Sequence, residues 1–337
     1  MDLCTIYCPS ATETLKAGES LAKTLYTTPC TVLLSGDLGA GKTTFLQGFF
    51  RGLGVKDHVT SPTFALEQRY ETARGTLIHI DLYRLTEGQA KDLLRATDTF
   101  DGIRCIEWPE RLPALLASRD EPSIRLAFSE EGEGRRIECA FDDVSLPTRS
   151  QIETWRTEYR LPAHIAAHCD VVTTVATALA DALISRGMLI RKEALTRAAE
   201  VHDLLRFVDF RPGASPQGSI ETPDDRATWD SVKARYPDLK HEAACAEFLR
   251  ERGYPALATI IETHGLVSPS AARQTIEQDL LFYADKRVAL DKVVSLDERF
   301  ADFGVRYGGG DITEKQKQWL KEAKQLEKNL FAEGLPL

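Results

Sequence analysis

The sequence predicts two domains, an α/β domain followed by an all-α domain. A chain of 337 residues is long for a single hydrophobic core, so two domains are expected. In the first half, short apolar runs alternate with helical patterns, which is typical of an α/β sheet. From residue 159 to about residue 300, apolar residues recur every three or four positions, which predicts helices with almost no strand.

The overall composition is that of an ordinary globular protein. Hydrophobic residues make up 43% of the chain and charged residues 28%, close to average values. The net charge of −9 argues against broad nonspecific binding of nucleic acid, but it leaves room for a local basic patch or an RNA-bound partner. The seven cysteines are scattered without a C-x-x-C pair, as expected in a reducing compartment.

The N-terminus and the hydropathy pattern predict a cytoplasmic protein. The first residues show no basic-then-apolar signal pattern, and we expect no apolar run of membrane-spanning length. A cytoplasmic location without a membrane partner is therefore expected.

The chain begins with a predicted strand and helix. Residues 3–8 predict the strand. Ser10 and Glu13 have the spacing of a capping box for a helix that carries Leu15 and Leu21.

A phosphate-binding loop follows the second predicted strand. The β-branched run at 31–34 predicts a buried strand, and the apolar residues of 45–50 have helical spacing. Between them, residues 36–43 fit the pattern G-x-x-x-x-G-K-[ST]. In such a loop, glycines expose backbone N–H groups to phosphate, Lys42 binds the β- and γ-phosphates, and the Thr43 hydroxyl is a magnesium ligand. A chance glycine-rich turn is the alternative. The predicted nucleotide-binding residues of the loop are Gly36, Asp37, Leu38, Gly39, Ala40, Gly41, Lys42, Thr43 and Thr44.

Two acidic residues follow later apolar runs. Asp81 ends the run at 77–80, where an acid in a P-loop protein is placed to hold magnesium; a structural N-cap is the alternative. Glu107 ends the run at 103–106 and could orient or deprotonate water; a solvated carboxylate beside a turn is the alternative. Residues 124–142 then predict a β-hairpin that closes the domain.

Four motifs of this half resemble the TsaE family, the bacterial ATPases of tRNA threonylcarbamoyladenosine biosynthesis. They lie at residues 36–44, 61–64, 79–85 and 106–111, in the order and spacing of that family. The resemblance covers about the first 145 residues. It implies binding of ATP and magnesium, and docking on the TsaD–TsaB complex, which modifies adenosine 37 of tRNA. Contact with tRNA would then be indirect, through that complex.

The same resemblance assigns roles to individual residues. Lys42, Asp81 and Glu107 would be catalytic, with Asp81 as the acid that holds magnesium. Thr63 would lie in a switch loop near the nucleotide, and Trp108 would complete the hydrolytic side of the site with Glu107.

Composition also predicts where the domains divide. The first domain is expected at residues 1–145. Residues 146–158 include Pro147 and lack clear periodicity, so we expect a linker there. The helical domain would span 159–310, and a Lys/Glu-rich C-terminal helix 311–337. That last helix is expected to be a strap across the second domain, or alternatively a docking helix.

The second half contains histidines and aspartates that could converge on a metal. His168 starts an apolar helical face, His202 and Asp203 are adjacent near a helix end, and Asp285 lies in an apolar run. Imidazole and carboxylate groups from several helices are a common way to hold divalent metals in a bundle. Each residue alone could instead be a hydrogen-bonded core histidine or a helix cap. His164 competes with His168 for its position.

This second set resembles the HD-domain metal-dependent phosphohydrolases, whose pattern is H…HD…D. His168, His202, Asp203 and Asp285 match that pattern, and His241 and His264 match the two additional histidines that hold a second metal. The resemblance implies iron, manganese or zinc as metal, Asp203 as a catalytic residue, and a nucleotide or other phosphorylated small molecule as substrate. Lys286 and Arg206 could neutralise charge on that phosphate.

The sequence thus predicts a TsaE-like ATPase fused to an HD-type phosphohydrolase. The main alternative is a regulatory protein in which a catalytically silent HD domain senses a nucleotide and controls the ATPase. A small-molecule kinase is a third reading, disfavoured because no acceptor-binding segment or lid is evident.

Overall fold

The computed structural model describes most of the chain as two compact units. The described residues are 2–72, 74–117, 121–210, 221–266, 272–307, 312–332 and 334–336. Unit 1 comprises Met1–Val144 and Ala182–Lys192, and unit 2 comprises Ser145–Asp181 and Glu193–Leu337.

Unit 1 is built on a seven-stranded mixed sheet. The strands are β1 (Asp2–Cys8), β2 (Cys30–Ser35), β3 (Glu67–Thr72), β4 (Gly75–Asp81), β5 (Ile103–Glu107), β6 (Ser123–Glu131) and β7 (Gly134–Phe141). Their order is β1-β7-β6-β2-β5-β4-β3. The four central strands β6, β2, β5 and β4 are parallel, and antiparallel partners flank them on both sides. The α/β prediction is confirmed, whereas β3 was not predicted, because this polar edge strand buries only Tyr70.

Helices cover both faces of this sheet. The four helices are α1 (Ala11–Ala22), α2 (Lys42–Gly52), α3 (Glu87–Arg95) and α4 (Pro113–Ala117). Val32 and Leu34 of β2 share a core with residues of α1 and α2, whereas Leu33 shares a second core with residues of α3. Because successive residues of a strand point to opposite faces, a strand covered on both sides becomes apolar throughout. This burial explains why the β2 run was recognisable from sequence.

Unit 1 also contains a segment from the second half of the chain. Leu189 is buried in the core that α1 and α2 share with the sheet. The fully buried guanidinium of Arg191 donates from Nη1 and Nη2 to the Asp143 carboxylate at 2.6 and 2.8 Å, and from Nε to the Thr24 carbonyl at 2.7 Å. Residues 182–192 therefore belong to the first compact unit. The predicted first domain, residues 1–145, does not include this segment.

The predicted linker is partly helical. Residues Arg149–Glu158 form α5, and Thr148 and Gln151 form a capping box at its start. Only Ile152 and Trp155 of this helix are buried. Two apolar positions are too few to give a periodic signal, so this helix within the predicted linker 146–158 was not recognisable from the sequence.

Unit 2 is helical, as predicted, apart from one short hairpin among its described residues. Its helices are α5, α6 (Ala163–Ile184, which continues into unit 1), α7 (Lys192–Val201), α8 (Pro223–Arg235), α9 (His241–Glu251), α10 (Pro255–Ile261), α11 (Ile276–Lys286), α12 (Leu296–Tyr307) and α13 (Glu314–Leu330). The hairpin pairs β8 (Val288–Ala289) with β9 (Lys292–Val293), and Arg206–Asp209 form a 3-10 turn. The predicted boundary between the helical domain and the C-terminal helix, at residues 310 and 311, lies outside the described residues.

Helix α6 corrects one expectation about hydropathy. By length and composition alone it could cross a membrane, with 22 residues and a mean hydropathy of 1.3 in its best window, of which 44% is buried. The sequence was expected to hold no such run. The helix buries Val172, Val175 and the polar His168, which is the pattern of a core helix.

Candidate functional site

The phosphate-binding loop of unit 1 joins β2 to α2. Gly36 and Gly41 have φ angles of +133° and +99°, which side chains with a Cβ rarely adopt. A Cβ on Gly36 would also lie 2.4 Å from the Phe128 carbonyl oxygen. Glycine is therefore required at both ends of the loop, and the N-terminus of α2 opens into it.

Lys42 closes this loop on itself. Its Nζ donates to the carbonyl oxygens of Gly36 and Asp37 at 2.5 and 2.9 Å. The same ammonium lies 3.8 Å from the centroid of the Trp108 ring, a cation–π contact. Burial lowers the pKa of Lys42, and Glu107 opposes that effect. The lysine is thus held at the loop by groups that phosphate oxygens could replace.

The two predicted acids lie side by side at the ends of parallel strands. Asp81 of β4 is in register with Glu107 of β5, and Glu107 is in register with Leu34 of β2. Asp81 and Glu107 are 2% and 3% exposed. Ligands of α/β folds bind at the carboxyl ends of parallel strands, which is where the loop and both acids meet.

Glu107 contacts the loop threonine directly. Thr43 Oγ1 donates to Glu107 Oε1 and Oε2 at 3.0 and 3.2 Å. On the other side, His79 Nε2 donates to Glu107 Oε1 at 2.9 Å. His79 is fully buried, and its Nδ1 has no hydrogen-bond partner among the described residues. His79 lies in the motif at 79–85, but no role was predicted for it, although it stands two residues before Asp81 and thus on the same face of β4.

Asp81 holds the segment that carries Thr63. Ser61 Oγ and Thr63 Oγ1 donate to Asp81 Oδ2 at 2.8 and 2.7 Å, and the backbone N–H of Tyr83 donates to Asp81 Oδ1 at 2.8 Å. The acid is thus connected to the proposed switch loop. Thr43, Asp81 and Glu107 together offer the hydroxyl and carboxylate oxygens that Mg²⁺ prefers.

Trp108 occupies a backbone conformation that is uncommon for a large side chain. Its φ is +62°, and its N–H donates to the Leu34 carbonyl oxygen at 3.1 Å. Its ring packs on Tyr83 with centroids 4.7 Å apart. Such a conformation persists only where the surroundings fix it, and it is often found at functional sites.

In unit 2, the six predicted metal-binding side chains lie together. His168 is in α6, His202 and Asp203 follow α7, His241 begins α9, His264 follows α10, and Asp285 is in α11. All six are at most 7% exposed. Three overlapping groups of side chains have their ligand atoms close enough together to hold a metal ion. They are His168, His202 and Asp285; His202, Asp203 and His264; and His241, Glu242 and His264. His168, rather than the competing His164, shares a group with His202 and Asp285.

Hydrogen bonds orient three of the four histidines toward the centre of the cluster. The Nδ1 atoms of His168, His202 and His264 lie 2.9, 2.8 and 2.5 Å from the carbonyl oxygens of Leu290, Ala199 and Ile261. A carbonyl oxygen only accepts, so each Nδ1 carries a proton and each Nε2 is turned toward the cluster. Metal-binding histidines are oriented in this way. Burial lowers the pKa of His168, but the contact of its Nε2 with Asp285 outweighs burial and raises that pKa. Among the described residues, the buried Nε2 of His202 has no hydrogen-bond partner.

The Nε2 atoms face the two carboxylates. His168 and His202 lie 3.0 and 3.9 Å from Asp285 Oδ1. His241 and His264 lie 3.1 and 3.5 Å from Asp203 Oδ1. The arrangement gives two adjacent groups of nitrogen and oxygen donors, which suits divalent ions such as iron, manganese or zinc.

The pKa values of the cluster residues shift in different directions. Burial lowers the pKa of His241, but Asp203 and Asp209 outweigh burial and raise it to about 9. Burial raises the pKa of both carboxyl groups, Asp203 and Asp285, but neighbouring charges outweigh burial. Histidines lower the pKa of Asp203, and Lys286 and histidines lower that of Asp285, so both pKa values lie well below their usual range. Burial lowers the pKa of His202 to about 4, so this ring is neutral near pH 7. Two ionised carboxylates beside a neutral imidazole form a donor set that fits a divalent metal.

Two neighbours of the cluster have roles that the sequence did not indicate. Asp209 Oδ2 accepts from His241 Nδ1 at 2.7 Å, so a carboxylate orients the fourth histidine. Lys286 was expected to face a substrate phosphate, but it is 3% exposed and donates to Asp285 and, at 2.9 Å, to the His264 carbonyl oxygen. Lys286 therefore holds the ligands in place. Arg206 is less buried and pairs with Asp209 at 2.7 Å.

The fold and loop of unit 1 define a P-loop nucleotide-binding domain. The family model for "Threonylcarbamoyl adenosine biosynthesis protein TsaE" matches residues 8–137. A Synechocystis protein named tRNA threonylcarbamoyladenosine biosynthesis protein TsaE is 40% identical over 114 residues, which are 32% of this chain and 72% of the relative. A Nostoc protein of the same name is 41% identical over 132 residues, 38% of this chain and 80% of the relative. The chain therefore belongs to the TsaE family through unit 1.

A solved structure was also matched. It is that of YdiB from Bacillus subtilis, which is 26% identical, with 41% of this chain and 85% of that chain covered and a TM-score of 0.33. The family match ends at residue 137, so unit 2 from residue 145 onward lies outside it.

Proposed function

We propose that unit 1 is an ATPase that supports threonylcarbamoylation of adenosine 37 in tRNA. Family membership supports the pathway. The observation that supports ATPase activity is the position of Glu107 at the mouth of the phosphate-binding loop. Glu107 contacts Thr43 there, and it is in register with Asp81. TsaD and TsaB would be the partners, tRNA would be reached through them, and the protein would act in the cytoplasm.

The side chains of unit 1 would divide the chemistry among them. Lys42 would exchange the Gly36 and Asp37 carbonyls for phosphate oxygens, and Thr43 and Asp81 would hold magnesium. Magnesium bound there would neutralise charge on the β- and γ-phosphates. Glu107, released from Thr43, accepts a hydrogen bond from the attacking water and so orients it.

A complementation experiment tests this role. In bacteria depleted of their own TsaE, the full chain is expected to restore threonylcarbamoyladenosine in tRNA, measured by mass spectrometry of digested tRNA. The variant Lys42→Ala should fail, because it lacks the charge that binds phosphate. The paired variant His202→Ala/Asp203→Ala serves as control and should restore the nucleoside. Equal restoration by Lys42→Ala would contradict the proposal.

We further propose that unit 2 is an HD-type phosphohydrolase acting on a nucleotide or another phosphoester. The observation that supports it is the convergence of four imidazole Nε2 atoms on two ionised carboxylates. His168, His202, Asp203, His241, His264 and Asp285 would hold two divalent ions. Ions held there would supply a Lewis acid and a hydroxide at neutral pH. Arg206, beside Asp203 and partly exposed, would bind the substrate phosphate.

Metal analysis of the full chain tests the second proposal. Purified Lys42→Ala protein, in which the P-loop site is silent, is expected to contain about two ions of iron, manganese or zinc per chain and to release phosphate from members of a nucleotide panel. Adding His202→Ala/Asp203→Ala should remove both properties. Nucleotide binding without phosphate release would instead favour the alternative, a silent HD domain that senses a nucleotide and controls the ATPase.

A further inference from the structure

Helix α13 presents a row of lysines on its outward face. Lys317, Lys321, Lys324 and Lys328, here called the lysine face, are all exposed. At 100° per residue they fall within an arc of about 60°, and their Cα atoms span about 16 Å along the helix. We propose that the lysine face binds the phosphate backbone of RNA.

Two of the three acidic residues of α13 are used in packing within unit 2. Glu322 pairs with Arg273, and Glu327 contacts Tyr283 and Arg287, all within unit 2. Gln316 and Ala323, which lie about 110° and 130° around the helix from the centre of the lysine face, are buried. A solvated helix usually mixes both signs of charge on its surface. Here Glu322 and Glu327 are used in packing, whereas the exposed Glu314 lies beside the lysine face and pairs with Lys317.

The lysine face is only partly neutralised by the chain itself. Lys317 pairs with Glu314 at 2.6 Å and Lys324 with Asp297 at 2.7 Å. Within the described ranges, Lys321 and Lys328 have no carboxylate within 4.0 Å. Exposed ion pairs of this kind contribute little, so phosphate oxygens can replace them.

The chemistry of this face favours a nucleic-acid backbone over other anionic partners. It contains lysine and no arginine, which suits point-charge contacts to phosphate better than bidentate reading of bases. Leu320 is the one apolar side chain among those that line it. A protein interface would need larger apolar or aromatic anchors, and a membrane-surface helix a wide apolar face.

The choice of RNA among polyanions rests on the proposed role of unit 1 in tRNA modification. The net charge of the chain is −9, so an attractive surface for RNA must be local. The lysine face provides one, in a part of the chain that the TsaE family match does not include. This chain would therefore contact tRNA itself, in addition to any contact through its partners.

Direct binding of an unmodified tRNA transcript to the full chain tests the proposal. Fluorescence anisotropy at 50 and 200 mM salt should give a Kd that weakens as salt rises. Changing all four lysines of the face to Gln is expected to weaken binding at least about 10-fold and to lower the slope of log Kd against log salt by about 2 to 4. The milder variant Lys321→Gln/Lys328→Gln should show about half of that change in slope.

A matched control removes the same charge elsewhere. Lys23, Lys56, Lys91 and Lys292 are exposed, and changing all four to Gln should alter the Kd by less than about 3-fold. Equal weakening by this control would overturn the proposal, and so would salt-independent binding or tighter binding to phosphatidylserine vesicles than to tRNA. ATP hydrolysis by the lysine-face variant should equal that of the unaltered chain, which separates failure of this proposal from failure of the proposed ATPase.

Discussion

At the scale of single residues, the two sites depend on side chains that hold the reactive ones. Glu107 is fixed between Thr43 and His79, and His241 is fixed by Asp209. A side chain held by a second polar group loses less freedom when it acts, which favours the productive geometry. His79 and Asp209 are therefore expected to affect function through Glu107 and His241.

Replacing His79 by Asn should lower the ATPase kcat and leave ATP binding almost intact. We expect a fall of about 10- to 100-fold in kcat, because Glu107 loses the donor that orients it, with a change in ATP Kd below about 3-fold. Steady-state kinetics and equilibrium binding of ATP measure the two effects. His79→Gln, which keeps a donor near the Nε2 position, should recover part of the rate. A proportional loss of binding and rate would show that His79 only supports the fold.

Replacing Asp209 by Asn should weaken metal binding in unit 2. The expected loss of affinity is about 10- to 100-fold, because the carboxylate that orients His241 is removed. Competition with a colorimetric chelator measures it on the full chain. Asp230→Asn, at an exposed position of α8, is the matched control and should bind metal normally. Unchanged affinity of the Asp209 variant would contradict this role.

The sequence indicated reactive residues better than the residues that support them. Asp81 and Glu107 could be predicted because each follows an apolar run, and parallel strand ends meet at one edge. The six residues of the cluster in unit 2 were selected by their resemblance to the H…HD…D pattern, and they lie together in the structure. Asp209 could not be predicted, because its contact with His241 depends on how a 3-10 turn packs against α9. The burial of Lys286 could not be predicted either, because burial is a property of tertiary packing.

At the scale of elements, the segment at 182–192 completes unit 1. Its Arg191 neutralises Asp143 in the interior, and Thr27 also donates to that carboxylate at 3.0 Å. The sequence did not reveal this because the segment follows a helix that begins in unit 2. Strands with continuous apolar runs were recognisable, whereas the polar edge strand β3 and the short helix α5 were not.

Replacing Arg191 by Met should destabilise unit 1 strongly. It leaves the fully buried side chain of Asp143 without its ionic partner, a change that typically costs about 3 to 5 kcal/mol. Chemical denaturation of the full chain, followed by tryptophan fluorescence, measures the loss. The double variant Arg191→Met/Asp143→Leu should recover part of it, because no buried charge is left. A loss below about 1 kcal/mol in the single variant would argue against this account.

At the scale of the whole molecule, the chain passes between the two units three times, after Val144, Asp181 and Lys192. The first unit is therefore not a simple N-terminal domain. Length and composition were enough to predict two domains, because they depend only on how much core a chain can form. The path of the chain between them was not predictable, since it depends on which apolar segments pack together.

A chain that ends at residue 145 should be a poor substitute for unit 1. It lacks Leu189 and Arg191, so it leaves apolar surface open and the Asp143 charge buried without a partner. We expect binding of a hydrophobic dye and a melting temperature lower than that of the first transition of the full chain. A truncated chain as stable as the full one would show that residues 182–192 contribute nothing to this core.

The passage of α6 from unit 2 into unit 1 has a consequence for how the protein could be divided. A protease cut within the connecting residues 145–148 would separate the first β-sheet from everything after it. The larger fragment would still carry Leu189 and Arg191, which are embedded in the core of that sheet. The two pieces should therefore copurify under native conditions and separate only in denaturant. The protein would behave as a self-complementing split pair, so that expressing the pieces from two genes could reconstitute it.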